Sequence, residues 1–446
     1  MKILIVTPEL PWPPETGGKA SQFATLKALA DDHVFRIVVT RASPLLHDLA
    51  CALERELPHV TVIRHKPEGN QAIQAIQGAV SPRKWLLRGK TLLRFMLQRR
   101  PAGSSVDKQQ RVVPDRPYYP FVPLSTESLC FIEGQLGWAE LIQAEFHESL
   151  YTAFLPVSHI PRIFICHQAH GRFSRRFYES TQIEGRSAND ADAHNCQSLL
   201  AATDTAAACA LEALLMSHFA QIITFTEEDK QSLHGQDASL PITVSPFPIP
   251  ADCMIVPPAD VTCWNLQLFY VGSGLWYPNV QAVEWFCTHV YPLLREQLPV
   301  EACILHVIGH WTEELRQLFS QEVVSFRGYA ENISAALSGN ISINPVFTGA
   351  GLRTKLLASA ACTSPIVTTS IGCEGVGLRH GHNCFVSDTA EDFAAAILTL
   401  MRNQPMASRL ATRAFEHALH RFGPEAVRQQ RNRIYEHVCH QFSSNS

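Results

Sequence analysis

At 446 residues the chain is too long for one compact core, so two or three domains are expected. A formal charge of −4 removes any global electrostatic case for nucleic acid, and 46% apolar with 17% charged residues excludes a disordered chain. The 13 cysteines are odd in number, lack CxxC pairs and fit free thiols in a reducing cytoplasm better than a disulfide framework.

Met1 to Val6 reads as a strand beginning at residue 2, not as a signal peptide, because it has no cleavable small-residue site and runs straight towards Pro8. No run of 18 apolar residues occurs. The Ala-rich stretch Leu199–Phe225 is interrupted by Asp204, Glu212 and His218, which makes it a buried helix plus strand. After the strand KILIVT comes a Pro-rich loop ending in Gly17-Gly18, then an amphipathic helix from about Ser21. A strand, adjacent glycines and a helix can face a phosphate; an ordinary βα connection is the alternative. Strands follow at Val34–Thr40 and Val60–Ile63, each after a helix, and this rhythm predicts a doubly wound α/β domain.

Residues 70–130 break that rhythm. Ser81–Pro117 carries ten Lys/Arg interleaved with Trp85, Leu86, Leu92, Phe95 and Leu97. Such a segment suits an anionic bilayer, each cation contributing roughly 1 kcal/mol, or else a helix packed on its own domain. Strands resume at Trp138–Gln143 and Arg162–Cys166. The second runs into His167-Gln168-Ala169-His170-Gly171, then Arg172, Arg175 and Arg176, at the crevice end of a parallel strand. There a His can meet a sugar hydroxyl or handle a proton. Cys166, His167 and His170 offer ligand types, but no partner cluster stands at a recognised metal spacing. Asn189-Asp190-Ala191-Asp192 holds a D-x-D that helix-start acids explain.

After a strand at Ile222–Thr226 and a helix opened by Glu227-Glu228-Asp229, Val244–Pro250 is a stiff Pro-rich crossing between domains. The pattern then restarts. LFYVGSGLWYPNVQAVEWF is strand, Gly272-x-Gly274 turn and helix, without the third glycine of a dinucleotide fingerprint. Strands at Cys303–Gly309 and Val324–Tyr329 lead to the stretch NISINPVFTGAGLRTKLLASAACTSPIVTTS. Its Thr348-Gly349-Ala350-Gly351 turn opens a helix from Leu352 to Cys362, with Arg353 and Lys355 in the first turn. Unpaired N–H groups and the positive helix end make an anion site, and two cations there call for something negative. Asn383–Val386, a helix from Glu391 to Met401 and a terminal helix of about Pro424–Phe442 complete the chain.

Two α/β halves joined by a Pro-rich crossing, with Gly17-Gly18, W-x-P-N, INPVFTGAGLRTKLLASAACTSPIVTT and GCEGV in this order, resemble the retaining GT-B glycosyltransferases of the "glycosyl transferases group 1" set. The resemblance implies two Rossmann-like domains facing across a cleft: 1–246 on the acceptor side, with the basic insertion at about 70–130, and 251–423 binding the donor. Residues 424–446 would cross back to the first domain. A cytoplasmic enzyme is expected, and the basic segment Ser81–Pro117 suits a peripheral place at the inner face of the plasma membrane. Its donor would be a nucleotide sugar and its acceptor a cell-envelope glycan or lipid-linked sugar, with no metal and no cofactor. His167, Arg353 and Lys355 would carry the transfer. Gly17, Gly18, Gly272, Arg327, Tyr329, Thr348, Gly349 and Gly351 would bind the donor, and Glu374 is expected as a substitute ligand for a donor hydroxyl.

The chain departs from that pattern where the set carries two acidic residues eight apart, the second gripping the ribose. Ala350 and Ala358 stand there. One charge-assisted hydrogen bond of roughly 1.5–3 kcal/mol is thereby absent. The crossing reads Phe247-Pro248-Ile249-Pro250 in place of the usual Asn-Gly. The departures keep open a degenerate GT-B protein that binds a glycan or partner without transfer, and a sugar-nucleotide epimerase would need a carboxylate pair.

Overall fold

The structure is a computed structural model that describes residues 1–41, 43–64, 121, 123–156, 159–184, 191–249, 254–255, 264–330 and 333–445. The basic segment Ser81–Pro117, the Asn189-Asp190 pair and Pro250 of the crossing lie outside the described residues.

The first lobe is a seven-stranded parallel sheet in the order β3-β2-β1-β4-β5-β6-β7. Its strands are β1 Lys2–Thr7, β2 Val34–Val39, β3 Val60–Ile63, β4 Leu141–Glu145, β5 Arg162–Cys166, β6 Gln221–Thr224 and β7 Ile242–Val244. Both faces are covered, so β1 reads as continuous apolar sequence with five of its six residues buried. The covering helices are α1 Gly17–Ala28, α2 Leu46–Glu56, α3 Thr126–Glu133, α4 His170–Glu184, α5 Ala191–Met216 and α6 Glu227–His234. α1 begins at the glycine pair itself, with the Thr16 side chain accepting from Lys19 N, rather than at the expected Ser21. β4 lies two residues beyond the expected strand, because the sheet pairs β4 with β1 from Leu141 onward and Trp138 is spent in a tight turn under Arg36.

The second lobe repeats the plan with β8 Leu268–Val271, β9 Leu305–Ile308, β10 Val324–Gly328, β11 Ile341–Asn344, β12 Ile366–Thr368 and β13 Phe385–Val386, in the order β10-β9-β8-β11-β12-β13. Its larger helices are α7 Tyr277–Trp285, α8 Thr354–Ala361, α9 Ala390–Arg402 and α10 Gln404–Phe422. The last helix, α11 Pro424–Asn445, leaves this lobe and lies along α1. Arg428 and Asn432 bind Asp32, and Arg431 reaches the carbonyls of Ser245 and Pro246.

One apolar core joins the lobes. Ile3, Ile5 and Phe225 of the first sheet's lobe belong to the same buried cluster as Leu356 and Ala360 of α8, Phe422 of α10 and Tyr435 of α11. Burial at roughly 25 cal/mol per Å² of apolar surface makes this shared core the main hold between the lobes. A separate core fills the far side of the second lobe around Trp264, Phe286 and Phe393. In each sheet the strand order reverses beside the first strand, between β1 and β4 and between β8 and β11. Ligand crevices of doubly wound sheets open at that point.

Candidate functional site

The turn after β11 is built by its glycines. Gly351 has φ +78°, and a Cβ there would run into the His167 carbonyl of the other lobe. Thr348, buried, donates to Gln281 Oε1 at 3.1 Å and ties the turn to α7. α8 starts at Thr354, so Arg353 occupies its N-cap and Lys355 its first turn. Both point inward. Arg353 donates to the Ala350 carbonyl at 2.9 Å, and burial pulls its guanidinium down to about 10 although Glu374 and Asp229 act against that. Lys355 Nζ donates to the Tyr270 hydroxyl at 2.7 Å and to Asn279 Oδ1 at 2.5 Å. Burial, with Arg353 beside it, pulls the Lys355 ammonium down to about 7. Gly272 follows β8 directly against Asn279, which places it in the same group.

The first lobe brings His167 from the end of β5. Its Nε2 donates to Glu145 Oε2 at 2.7 Å, its Nδ1 lies 3.5 Å from Ser21 Oγ, and its ring stacks on Phe146 at 3.8 Å. Gly18 faces the same Phe146 ring, and Gly17 lies against Thr354 of the second lobe.

Between these halves runs an ion cluster. Arg172 and Arg176, one turn apart on α4, both reach Glu374, at 2.7 Å and 2.5 Å; Arg176 also donates to the Gly349 carbonyl at 2.9 Å. Arg172 further meets the fully buried Asp229 at 3.3 Å. Burial pushes the Glu374 carboxyl up, but Arg176, Arg172 and Arg353 outweigh it and hold it below its ordinary value. On the same helix Phe173 stacks on Trp276 with ring centres 5.2 Å apart. The lobes therefore touch at the glycine turn, and Glu374 is held there by the first lobe's arginines.

Gly17, Gly18, His167, Thr348, Gly349, Gly351, Arg353, Lys355, Gly272 and Glu374 are thus gathered at one interlobe seam. Arg327 and Tyr329 lie at the exposed end of β10, where Arg327 donates to His306 Nδ1 at 3.0 Å and Tyr329 is 55% exposed. Ala350 is buried beside the turn, and Ala358 lies half-buried on α8. Glu145, Phe146, Ser21 and Gln143 have no local motif. The available signal was position, since Glu145 and Phe146 end a strand next to the switch point. Among the described residues, His147, Cys166 and Glu212 form a buried group of metal-ligating types. Glu212 there accepts from His147, the His170 amide and Gln236, and Cys166 donates to the Gln168 carbonyl, so hydrogen bonds satisfy the group as it stands.

Residues 265–403 match the family described as glycosyl transferases group 1. Sucrose-phosphate synthase from Thermosynechococcus elongatus superposes with a TM-score of 0.64 at 12% identity, covering 100% of each chain. HepE of Anabaena, crystallised with UDP, gives 0.62 at 13% identity over 98% of this chain and 100% of that one. The fold is GT-B. The family match lies in the second lobe, where the residues that carry the resemblance also lie. The pneumococcal O-GlcNAc transferase GtfA, in complex with UDP and GlcNAc, gives 0.60 at 11% identity over 99% of each chain. A Klebsiella pneumoniae protein described as an uncharacterized 44.6 kDa protein in cps region is 27% identical over 161 residues, 34% of this chain. The match spans 41% of that relative's length. No helix among the described residues is long and apolar enough to cross a membrane.

Proposed function

We propose that the protein transfers a sugar from a nucleotide-sugar donor to a cell-envelope glycan or lipid-linked acceptor, with retention and without a metal. The observation that carries this reading is the pair Arg353 and Lys355: two inward cations at the start of α8, on the interlobe seam, with Lys355 bonded, among the described residues, only to neutral oxygens. A diphosphate answers both charges, and the glycine start of α1 faces the same seam. The leaving diphosphate takes the acceptor's proton, and the protein contributes positioning and charge neutralisation. UDP and UDP-glucose, crystallised with HepE, give the donor class its first candidates. A membrane role for Ser81–Pro117 belongs to the same proposal and is tested by flotation with anionic liposomes; absence of binding at low salt removes it.

Ala350, Ala358 and the engagement of Glu374 by Arg172 and Arg176 favour a second reading, a binding protein without turnover. Calorimetric titration with nucleoside diphosphates, followed by a donor-hydrolysis screen, separates the two. The transferase reading expects millimolar-or-better binding and hydrolysis of at least one donor. A protein that binds no nucleoside diphosphate is not a transferase of this kind.

A further inference from the structure

A buried polar chain runs from the last helix to His167, and sugar transfer alone does not explain it. The Tyr435 hydroxyl on α11 donates to Gln143 Oε1 at 2.6 Å. Gln143 Nε2 donates to Glu145 Oε1 at 2.6 Å, and Glu145 Oε2 accepts from His167 Nε2 at 2.7 Å. Tyr435 is fully buried, and Gln143 and Glu145 on β4 are 2% and 3% exposed. The chain has a sense. The Arg431 guanidinium lies against the Tyr435 hydroxyl and can only donate, so the phenol proton points to Gln143. That turns the Gln143 carbonyl towards Tyr435 and its NH2 towards Glu145, which accepts at both oxygens. His167 then keeps its proton on Nε2.

The opposite ring nitrogen faces α1. Nδ1 lies 3.5 Å from Ser21 Oγ, whose own proton goes to the Gly18 carbonyl at 2.8 Å. Phe146 supplies a second constraint. It sits at φ +63°, ψ 157°, a region that bulky side chains rarely enter and that persists only when surroundings enforce it. Its ring is pressed on one side by Gly18 and lies on the other nearly parallel to the imidazole, at 12°.

We propose that Glu145, Gln143, Tyr435 and Phe146 are positioning residues that hold His167 as the Nε2–H tautomer. Nδ1 is thereby presented at the first turn of α1 as an acceptor for a hydroxyl of the transferred sugar. The hydroxyl rests on the transferase reading; the tautomer does not.

The test begins with ligand-free protein labelled with 15N-histidine, His167 being assigned by difference from His167→Gln. Nitrogen–proton correlation spectra should show the proton on Nε2. Glu145→Gln keeps the shape, leaves an oxygen for Gln143 and turns an NH2 towards the ring, so the proton should move to Nδ1. Adding Tyr435→Phe frees both amides to turn over and should restore part of the Nε2–H form. A wild-type ring protonated on Nδ1, or a tautomer unchanged in Glu145→Gln, overturns the proposal. In donor turnover, Glu145→Gln should lower kcat by about tenfold, the worth of one hydrogen bond at a reacting group, with donor KM nearly constant. Glu145→Gln combined with His167→Ala should be no worse than His167→Ala alone; losses that multiply sink the coupling. If no donor is turned over, the transferase reading fails while the spectra still decide the tautomer.

Discussion

The two lobes share a strand order yet treat charge in opposite ways. In the first lobe the three seam groups His167, Arg172 and Arg176 each meet a carboxylate: His167 meets Glu145, Arg172 meets Asp229, and Arg172 with Arg176 meets Glu374. In the second lobe Lys355 rests on Tyr270 and Asn279, and Arg353 donates to backbone carbonyls. Charges matched inside the protein need nothing from outside. A half-buried cation among neutral oxygens destabilises the fold until an anion arrives, and that difference is why the proposal puts anion binding in the second lobe.

Four measurements break or sharpen this contrast. The largest effect belongs to Gly351→Ala. It forces a left-handed residue, at about 1–3 kcal/mol, and drives a Cβ into the His167 carbonyl, which no rotamer relieves. The lobes should be pushed apart, raising the radius of gyration in X-ray scattering, and nucleoside-diphosphate affinity should fall by about a hundredfold. An unchanged scattering profile would refute the seam contact.

Lys355→Met comes next, and its two effects have opposite signs. Diphosphate affinity should fall by about ten- to a hundredfold, the loss of one charged hydrogen bond. The melting temperature of the unliganded protein should rise, because the half-buried, unpaired ammonium goes. A lower melting temperature would mean that Lys355 is a structural cation after all.

Glu374→Gln tests the matched side. It leaves Arg172 and Arg176 facing an amide and should weaken the contact between lobes by about 1–3 kcal/mol. A double-mutant cycle with Arg176→Ala on thermal unfolding reads the coupling; strict additivity would deny the ion contact any energetic role.

The smallest effect is on pH. Burial, and after it the neighbouring Arg353 charge, pulls the Lys355 ammonium from its ordinary 10.5 down to about 7. A bound diphosphate raises that value, so binding above pH 7 takes up a proton. Affinity levels off below 7, where the lysine is already charged, and declines above it by at most about tenfold per pH unit. Calorimetry in two buffers of different ionisation enthalpy measures the uptake, and none at pH 8 would place the anion away from Lys355. For stability the sign is reversed: the depressed value burdens the unliganded fold fully below pH 7 and less and less up to 10.5.

The fold was legible because its strands are short apolar runs between turn residues. Val60–Ile63, Arg162–Cys166 and Leu268–Val271 lie where periodicity puts them. α10 was missed although Leu410, Ala411, Ala414, Ala418 and Phe422 recur at helical spacing, because Asn403-Gln404-Pro405 reads as a loop and is instead a cap followed by an early helical proline. At the site, Arg353 and Lys355 were readable since the turn and its cations are contiguous. Glu145 and Phe146 were not. The strand was read to Gln143, two residues short, and nothing local shows that a carboxylate from β4 will meet a histidine from β5. Arg172 and Arg176 stood out as a basic run, but Glu374, almost two hundred positions later, supplies their meaning.

The seating of α11 has a consequence for synthesis on the ribosome. Asp32, His33 and Gln143 emerge early, yet Arg428, Asn432 and Tyr435, which bind them, are separated from them by 292 to 399 positions and are made much later. The first sheet must wait, its α1 flank uncovered, while the whole second lobe is translated. A nascent chain halted near residue 423 should therefore present that flank to chaperones.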